Sequence, residues 1–301
     1  MRLLIASLLS FLMIQTPSQA AVFSIQPRFE PERPRNTSLS PVMSLVLPSF
    51  DQWWEGQYGA ATVYLGAGVG GLGLAARAAK GRADSSNEDL ADYTDRQRQI
   101  AYGFQVYQLA GEMSAFHSFR TAVQSRRGLG QYAFLTTEET PADLFLAPFD
   151  FSQLTRPTTF VPLLALAGLL ASLKNANSSL DVNDAAFTAG ISYNAGVGEE
   201  ALFRGYMMPV LRQSFDNDFW SNTVTATLFA AAHYSQRNRL PLVQGAIGWY
   251  LGWLTQRNHW SLRQAVFLHT WWDIVAIGFE LAAVQNEPDR MIRMPTLQFT
   301  F

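Results

Sequence analysis

The stretch "NAGVGEEALFRGYMM", residues 194–208, decides how this chain is read. It sets Glu199 and Glu200 side by side and places Arg204 one helical turn later, among residues that are otherwise apolar or small. An ionised side chain at the centre of a membrane helix costs about 2.5–3.5 kcal/mol on insertion scales. Three such groups in one segment must therefore meet one another or water. Glu200 and Arg204 are i and i+4, stacked on one helix face in the arrangement of an ion pair.

Working outward, the surroundings look built for lipid. After residue 157 come "TTFVPLLALAGLLASL", "AAFTAGISYNAGVG", "FWSNTVTATLFAAAHY", "LPLVQGAIGWYLGWLTQ" and "AVFLHTWWDIVAIGF", separated by short polar turns such as "DND" and "QRN". An earlier run, "YGAATVYLGAGVGGLGLAARAAK" at 58–80, stays uncharged until Arg77 and is long enough to cross a bilayer. These runs lack the alternation of barrel strands, and spanning segments must be helices or closed barrels. The expected fold is an all-α, polytopic transmembrane helical bundle of about six to seven membrane helices, with an amphipathic helix and a polar N-terminal region.

Composition agrees. Charged residues make up 15% of the 301-residue chain and aromatics 13%. The mean hydropathy of +0.01 averages apolar runs with a polar region near 81–157. A net charge of −2 offers no basic face for nucleic acid, and with no cysteine there is neither a disulfide nor a thiolate site.

The organisation reads as follows. Residues 1–20, "MRLLIASLLSFLMIQTPSQA", have the pattern of a cleaved secretory signal. Residues 21–56 form an irregular exposed lead-in. Residues 57–157 hold the first membrane helix and an amphipathic or loop region, 158–285 the apolar core, and 286–301 a tail. Gly66, Gly68 and Gly71 match a GxGxxG spacing, but no strand precedes them; small residues at helical spacing read as a packing face between membrane helices. Ile100, Phe104, Tyr107, Met113, Phe116 and Phe119 recur at helical intervals, predicting an amphipathic helix on the membrane surface or against other helices. His117 on that helix reads as structural. His259 and Trp260 read as an interfacial anchor, and Trp271–Trp272 as packing for the last helix. "PADLFLAPFDF", at 141–151, is a candidate docking segment for substrate.

The remaining ionisable groups of the core are His233, His269 and Asp273. His269 and Asp273 are i and i+4, on one face of the last helix. The midpoint of 199 and 233 falls in the "DND" turn, so an antiparallel hairpin puts Glu199 and His233 at the same depth. His269 reaches a similar level from the next turn, and one carboxylate and two imidazoles converge from three helices. Such a set allows two chemistries. A carboxylate can take a proton from water while histidine orients or shares it. Alternatively Glu199, His233 and His269 can bind zinc and leave a fourth position for water.

Three motifs then align. "EEALFR" at 199–204 resembles EExxxR, "FAAAH" at 229–233 resembles FxxxH, and "HTWWD" at 269–273 resembles HxxxN/D. Together they resemble the CPBP family of intramembrane proteases, which includes type II CAAX prenyl endopeptidases and bacteriocin-processing or immunity proteins. The resemblance covers about 155–285. It implies that Glu199 is the base on water, that His233 orients the water, and that His269 and Asp273 bind the developing oxyanion. Glu200 and Arg204 would form a supporting pair. The family has been described both as metalloproteases and as metal-free glutamate proteases, so the cofactor is none or zinc. Where CAAX proteases have Asn in the third motif this chain has Asp273, and an ionised Asp cannot donate to an oxyanion.

The expected activity is hydrolysis of a peptide bond in a membrane-associated protein or peptide, with membrane lipid as the other partner and no nucleic acid. The expected setting is an integral membrane protein of a bacterial inner membrane. Arg237 and Arg239 beside His233 favour a cytoplasmic catalytic mouth. Two other classes stand beside the protease: a catalytically silent binding or immunity protein on the same fold, and a proton-coupled transporter, which would show an internal repeat that this chain lacks.

Overall fold

The computed structural model describes residues 35–80, 90–173, 182–234 and 239–285. The expected signal at 1–20, residues 21–34 of the lead-in, the polar stretch 81–89, Arg237 and the tail 286–301 lie outside the described residues; the rest of the lead-in, expected to be irregular and exposed, instead forms two short helices whose Val42, Ser44 and Gln52 are buried against the bundle. Every regular element among the described residues is helical: α1 (Leu39–Val46), α2 (Phe50–Trp54), α3 (Tyr58–Lys80), α4 (Leu90–Arg126), α5 (Pro141–Leu146), α6 (Pro157–Leu173), α7 (Val182–Leu202), α8 (Met208–Phe215), α9 (Asp218–Ala232), α10 (Leu242–Arg257) and α11 (Arg263–Gln285). A π-helical turn, Phe203–Met207, joins α7 to α8 without a break.

Local chemistry sets the ends. Asp216 takes a left-handed conformation at φ 49°, and the Asn217 side chain then accepts from the Trp220 N–H at 3.0 Å, which caps α9 and closes the predicted hairpin. Thr140 and Asp143 form a reciprocal capping box at the start of α5, with Pro141 at its first position. Glu139 accepts from the Leu262 N–H at 3.0 Å and the Ser261 hydroxyl at 2.6 Å, so a carboxylate sits on the first free amides of α11. Burial pushes the Glu139 carboxyl above its ordinary value, while those two donors and Arg120 pull it down.

Of the two settings predicted for the amphipathic helix, the structure has the interior one. α4 packs on α1, α3 and α7, and Met113, Ala115, Phe116 and Phe119 are fully buried. α7 lies in turn against α4 and α11. α3 crosses α4 at glycines: a Cβ on Gly71 would sit 2.5 Å from the Gly103 carbonyl oxygen, and one on Gly103 would sit 2.5 Å from that of Gly71. Gly68 packs against Pro48 and Tyr107, whereas Gly66 meets nothing. The packing face predicted from three glycines is thus built by two.

Large apolar side chains also face outward. Val63, Leu65, Val69 and Leu72 do so on α3, Phe160, Val161, Leu164 and Leu169 on α6, and Leu242 and Val243 at the start of α10. Among the described residues one helix, α3, is both long and apolar enough to cross a membrane. α6 is apolar but shorter, and α9 and α10 have 15 and 16 residues.

The glycine crossing makes a prediction. Gly103→Val should destabilise the chain by about 2 kcal/mol or more, because backbone, not a pliable side chain, opposes the new atoms. Gly66→Ala should leave the detergent unfolding midpoint unchanged. An unchanged midpoint for Gly103→Val would refute the close crossing.

Candidate active site

The site is built where α7, α9, α10 and α11 meet, and its foundation is the Glu200–Arg204 pair. Both side chains are fully buried and their contact is 2.7 Å. The second terminal nitrogen of Arg204 donates to the Gly248 carbonyl on α10 at 2.8 Å. The guanidinium also lies over the Phe229 ring of α9, 4.5 Å from its centroid. A Cβ on Gly248 would come within 3.1 Å of Arg204, so glycine there lets the guanidinium reach the backbone. The π-helical turn begins just before Arg204; such turns favour functional sites because they re-aim side chains.

Glu200 has a second partner. His269 Nδ1 lies 2.8 Å from Glu200 Oε1 and donates to it, since an ionised carboxylate only accepts. That contact depends on a close approach of α7 and α11: a Cβ on Gly196 would sit 2.7 Å from the Thr270 nitrogen. His233, the residue that ends α9, donates from Nδ1 to the Phe229 carbonyl at 2.8 Å. Each imidazole is therefore held by Nδ1 and presents Nε2.

Both Nε2 atoms face Glu199. Its Oε2 lies 3.8 Å from His233 Nε2 and 3.9 Å from His269 Nε2. Asp273 Oδ2 is 3.5 Å from the same His269 nitrogen. The Glu199 contacts are too long for hydrogen bonds and short enough for one water to touch both sides, about 2.8 Å from each. The Glu199 and His269 side chains are 13% and 6% exposed, against 32% and 31% for His233 and Asp273, so the site opens on the side of the latter two. The structure brings together all six residues singled out from sequence: Glu199, Glu200, Arg204, His233, His269 and Asp273.

Glu199, His233 and His269 supply the oxygen and two nitrogens of a zinc set, but they do not fit the ion as arranged. Tetrahedral ligands at ordinary zinc distances stand roughly 3.3 Å apart. Among the described residues no group of three or more His, Asp or Glu side chains could hold a metal.

One neighbour escaped the sequence reading. Glu112 on α4 is buried, accepts from the Gln108 amide at 2.9 Å, and rests against Gly198, where a Cβ would overlap its carboxylate. Its signal was an acid between Gly111 and Met113, one helical turn after Gln108 and so within that side chain's reach. The other candidates have quieter roles. His117 meets the Tyr64 hydroxyl at 3.2 Å, Trp271 donates to the Pro148 carbonyl at 2.9 Å, and His259 and Trp260 occupy a left-handed turn at φ 56° and 64°. The 141–151 segment packs on α7 and α11: Tyr193 donates to the Phe145 carbonyl, and Phe151 stands edge-on to Phe267.

Comparison with known families fits this geometry. Residues 181–275, which carry all three motifs, are similar to the CAAX proteases. The family model they match is described as type II CAAX prenyl endopeptidase Rce1-like. The match spans less than half of the chain, and α1 to α6 lie outside it. The family is one of membrane proteases acting on protein or peptide. No characterised protein and no solved structure matches the chain.

Removing one member of the buried pair leaves an uncompensated charge. Arg204→Met should cost about 3–5 kcal/mol of stability. The double variant Glu200→Leu/Arg204→Met should recover much of that in a detergent denaturation series, because no buried charge is then unpaired. A single variant as stable as the parent would count against the enclosed pair.

Proposed function

We propose that the chain is an intramembrane endopeptidase in which Glu199 activates a water for attack on a peptide bond of a membrane-associated protein or peptide. The observation that carries this reading is the convergence of two Nε2 atoms, at 3.8 and 3.9 Å, on one Glu199 oxygen. The family match at 181–275 supports the same reading. So do the outward apolar faces of α3 and α6, which suit lipid contact, with the helices of the core completing a polytopic bundle in a bacterial inner membrane.

In this mechanism a water sits between Glu199 and His233 and gives each a hydrogen bond, which leaves an oxygen lone pair free. Attack forms the carbon–oxygen bond, the carbonyl electron pair moves to oxygen, and Glu199 takes the proton. Collapse of the tetrahedral species breaks the carbon–nitrogen bond, and the proton passes from Glu199 to the leaving amine. His269, turned by Glu200, donates from Nε2 to the oxyanion as an imidazolium, because its Nδ1 proton is already given to Glu200. Asp273 lies 3.5 Å from that nitrogen and acts through it as a positioning residue, in place of the donor amide of the Asn-bearing relatives.

Membranes carrying the parent chain should cleave a reporter that Glu199→Ala and His233→Ala cleave about 100- to 10,000-fold more slowly, the range for losing a general base or its partner. Unchanged cleavage by both variants overturns the enzyme. Asp273→Asn should keep activity within about tenfold, since an amide can still orient His269 or donate itself. A chelator should leave the rate unchanged; a loss restored by zinc would instead assign the metal chemistry.

A further inference from the structure

The face of α7 that leads to Glu199 carries hydroxyls with nothing to bind. Thr188 and Ser192 share the side of Glu199, since at 3.6 residues per turn the three positions lie within about 40° of one another. Thr188 and Ser192 are 2% and 0% exposed, and neither hydroxyl has a hydrogen-bond partner among the described residues. Across from them on α11, Thr270 is 2% exposed and its hydroxyl is likewise unpartnered. It fills the space that a Cβ on Gly196 would take, between the levels of Ser192 and Glu199. The upper end of this series is Glu199 Oε2, which is also unpartnered.

Elsewhere on the helices Ser118 and Thr223 are single buried hydroxyls without a hydrogen-bond partner, whereas other hydroxyls turn back on their own helix. Thr62, Thr225 and Thr255 donate to the carbonyl four residues earlier at 2.8, 2.7 and 3.1 Å. The three beside α7 forgo that bond while fully enclosed, where an apolar side chain of similar size would be favoured if nothing polar occupied the gap. At 1.5 Å of rise per residue the levels of Thr188, Ser192, Thr270 and Glu199 are about 4–6 Å apart, the span that one bridging water covers. The lower end adjoins Asp184, whose ion pair with Arg98 makes that end of the helix polar.

We infer that Thr188, Ser192 and Thr270 line a narrow water file that feeds Glu199 from the N-terminal end of α7. The file deepens the proposed hydrolysis and rests on it, because that reaction consumes one water per bond cleaved. Substrate and water then reach Glu199 from different sides, the substrate by the open side of His233 and Asp273.

The chain has no cysteine, so Thr188→Cys, Ser192→Cys and Thr270→Cys each carry a single thiol in the full protein. Silver ion, small and hydrophilic, is the probe; thiols left unreacted are counted with a maleimide after denaturation. The three thiols should react at least about tenfold faster than Leu268→Cys, which sits fully buried among apolar side chains. The same rates should hold in a Glu199→Ala background, which separates this readout from catalysis. Rates equal to that of Leu268→Cys overturn the file. For the supply role, Ser192→Val should lower kcat about tenfold with KM unchanged, and Ser192→Thr should restore it. Full kcat in Ser192→Val overturns the supply role. Reactive thiols in a chain that cleaves nothing would instead overturn the protease and leave a hydrated helix face.

Discussion

The Glu200–Arg204 pair is enclosed on every side, and that enclosure constrains the rest of the site. A buried guanidinium must have its charge balanced, or the fold loses more than any single apolar contact returns, and both terminal nitrogens of Arg204 are met. Here the balance comes from four helices: the carboxylate from α7, a carbonyl from α10, an aromatic face from α9, and an imidazole of α11 on the same carboxylate oxygen that Arg204 meets. Once these are joined, the neighbouring residue has little choice. Glu199 is one step along the helix, about 100° around its axis, and is thereby aimed at the gap between His233 and His269.

Close backbone approach makes this possible, and glycine supplies it. Gly196 admits Thr270 and lets His269 reach Glu200; Gly198 admits Glu112; Gly248 admits Arg204. Each missing Cβ is a place where a polar group replaces a methyl. Parts outside the matched segment also hold the site. Glu139 fixes the first turn of α11, the helix that carries His269 and Asp273, while α4 walls the side of α7 that faces away from α11.

Much of this was legible in the sequence because it depends on intervals. The i, i+4 spacing gave the Glu200–Arg204 contact, and symmetry about the "DND" turn gave the pairing of Glu199 with His233. Intervals say nothing of what lies across a helix from a different part of the chain. Glu112 therefore went unread: an acid on an amphipathic-looking helix suggests water, and only the packing of α4 inside the bundle turns it inward. The π-helical turn was equally silent in the sequence; it falls where Gly205 passes so close to Phe116 that a Cβ would meet that ring at 2.6 Å. For Gly66 the spacing misled, because a shared helical stripe does not guarantee a neighbour along its whole length.

Asp273 shows how a motif can keep its place and change its chemistry. As an ionised group it cannot stabilise an oxyanion directly, and next to one it would oppose the charge that develops. At 3.5 Å from His269 Nε2 it stands beside the donor instead. His269 is thus flanked by Glu200 at Nδ1 and Asp273 at Nε2, an imidazole between two acceptors. In the proposed mechanism an arriving carbonyl would compete with Asp273 for the Nε2 proton, and an oxyanion competes better than the neutral carbonyl from which it forms. In the proposed mechanism the contact would therefore favour the transition state over the bound substrate, which is the condition for an interaction to raise a rate and not merely an affinity.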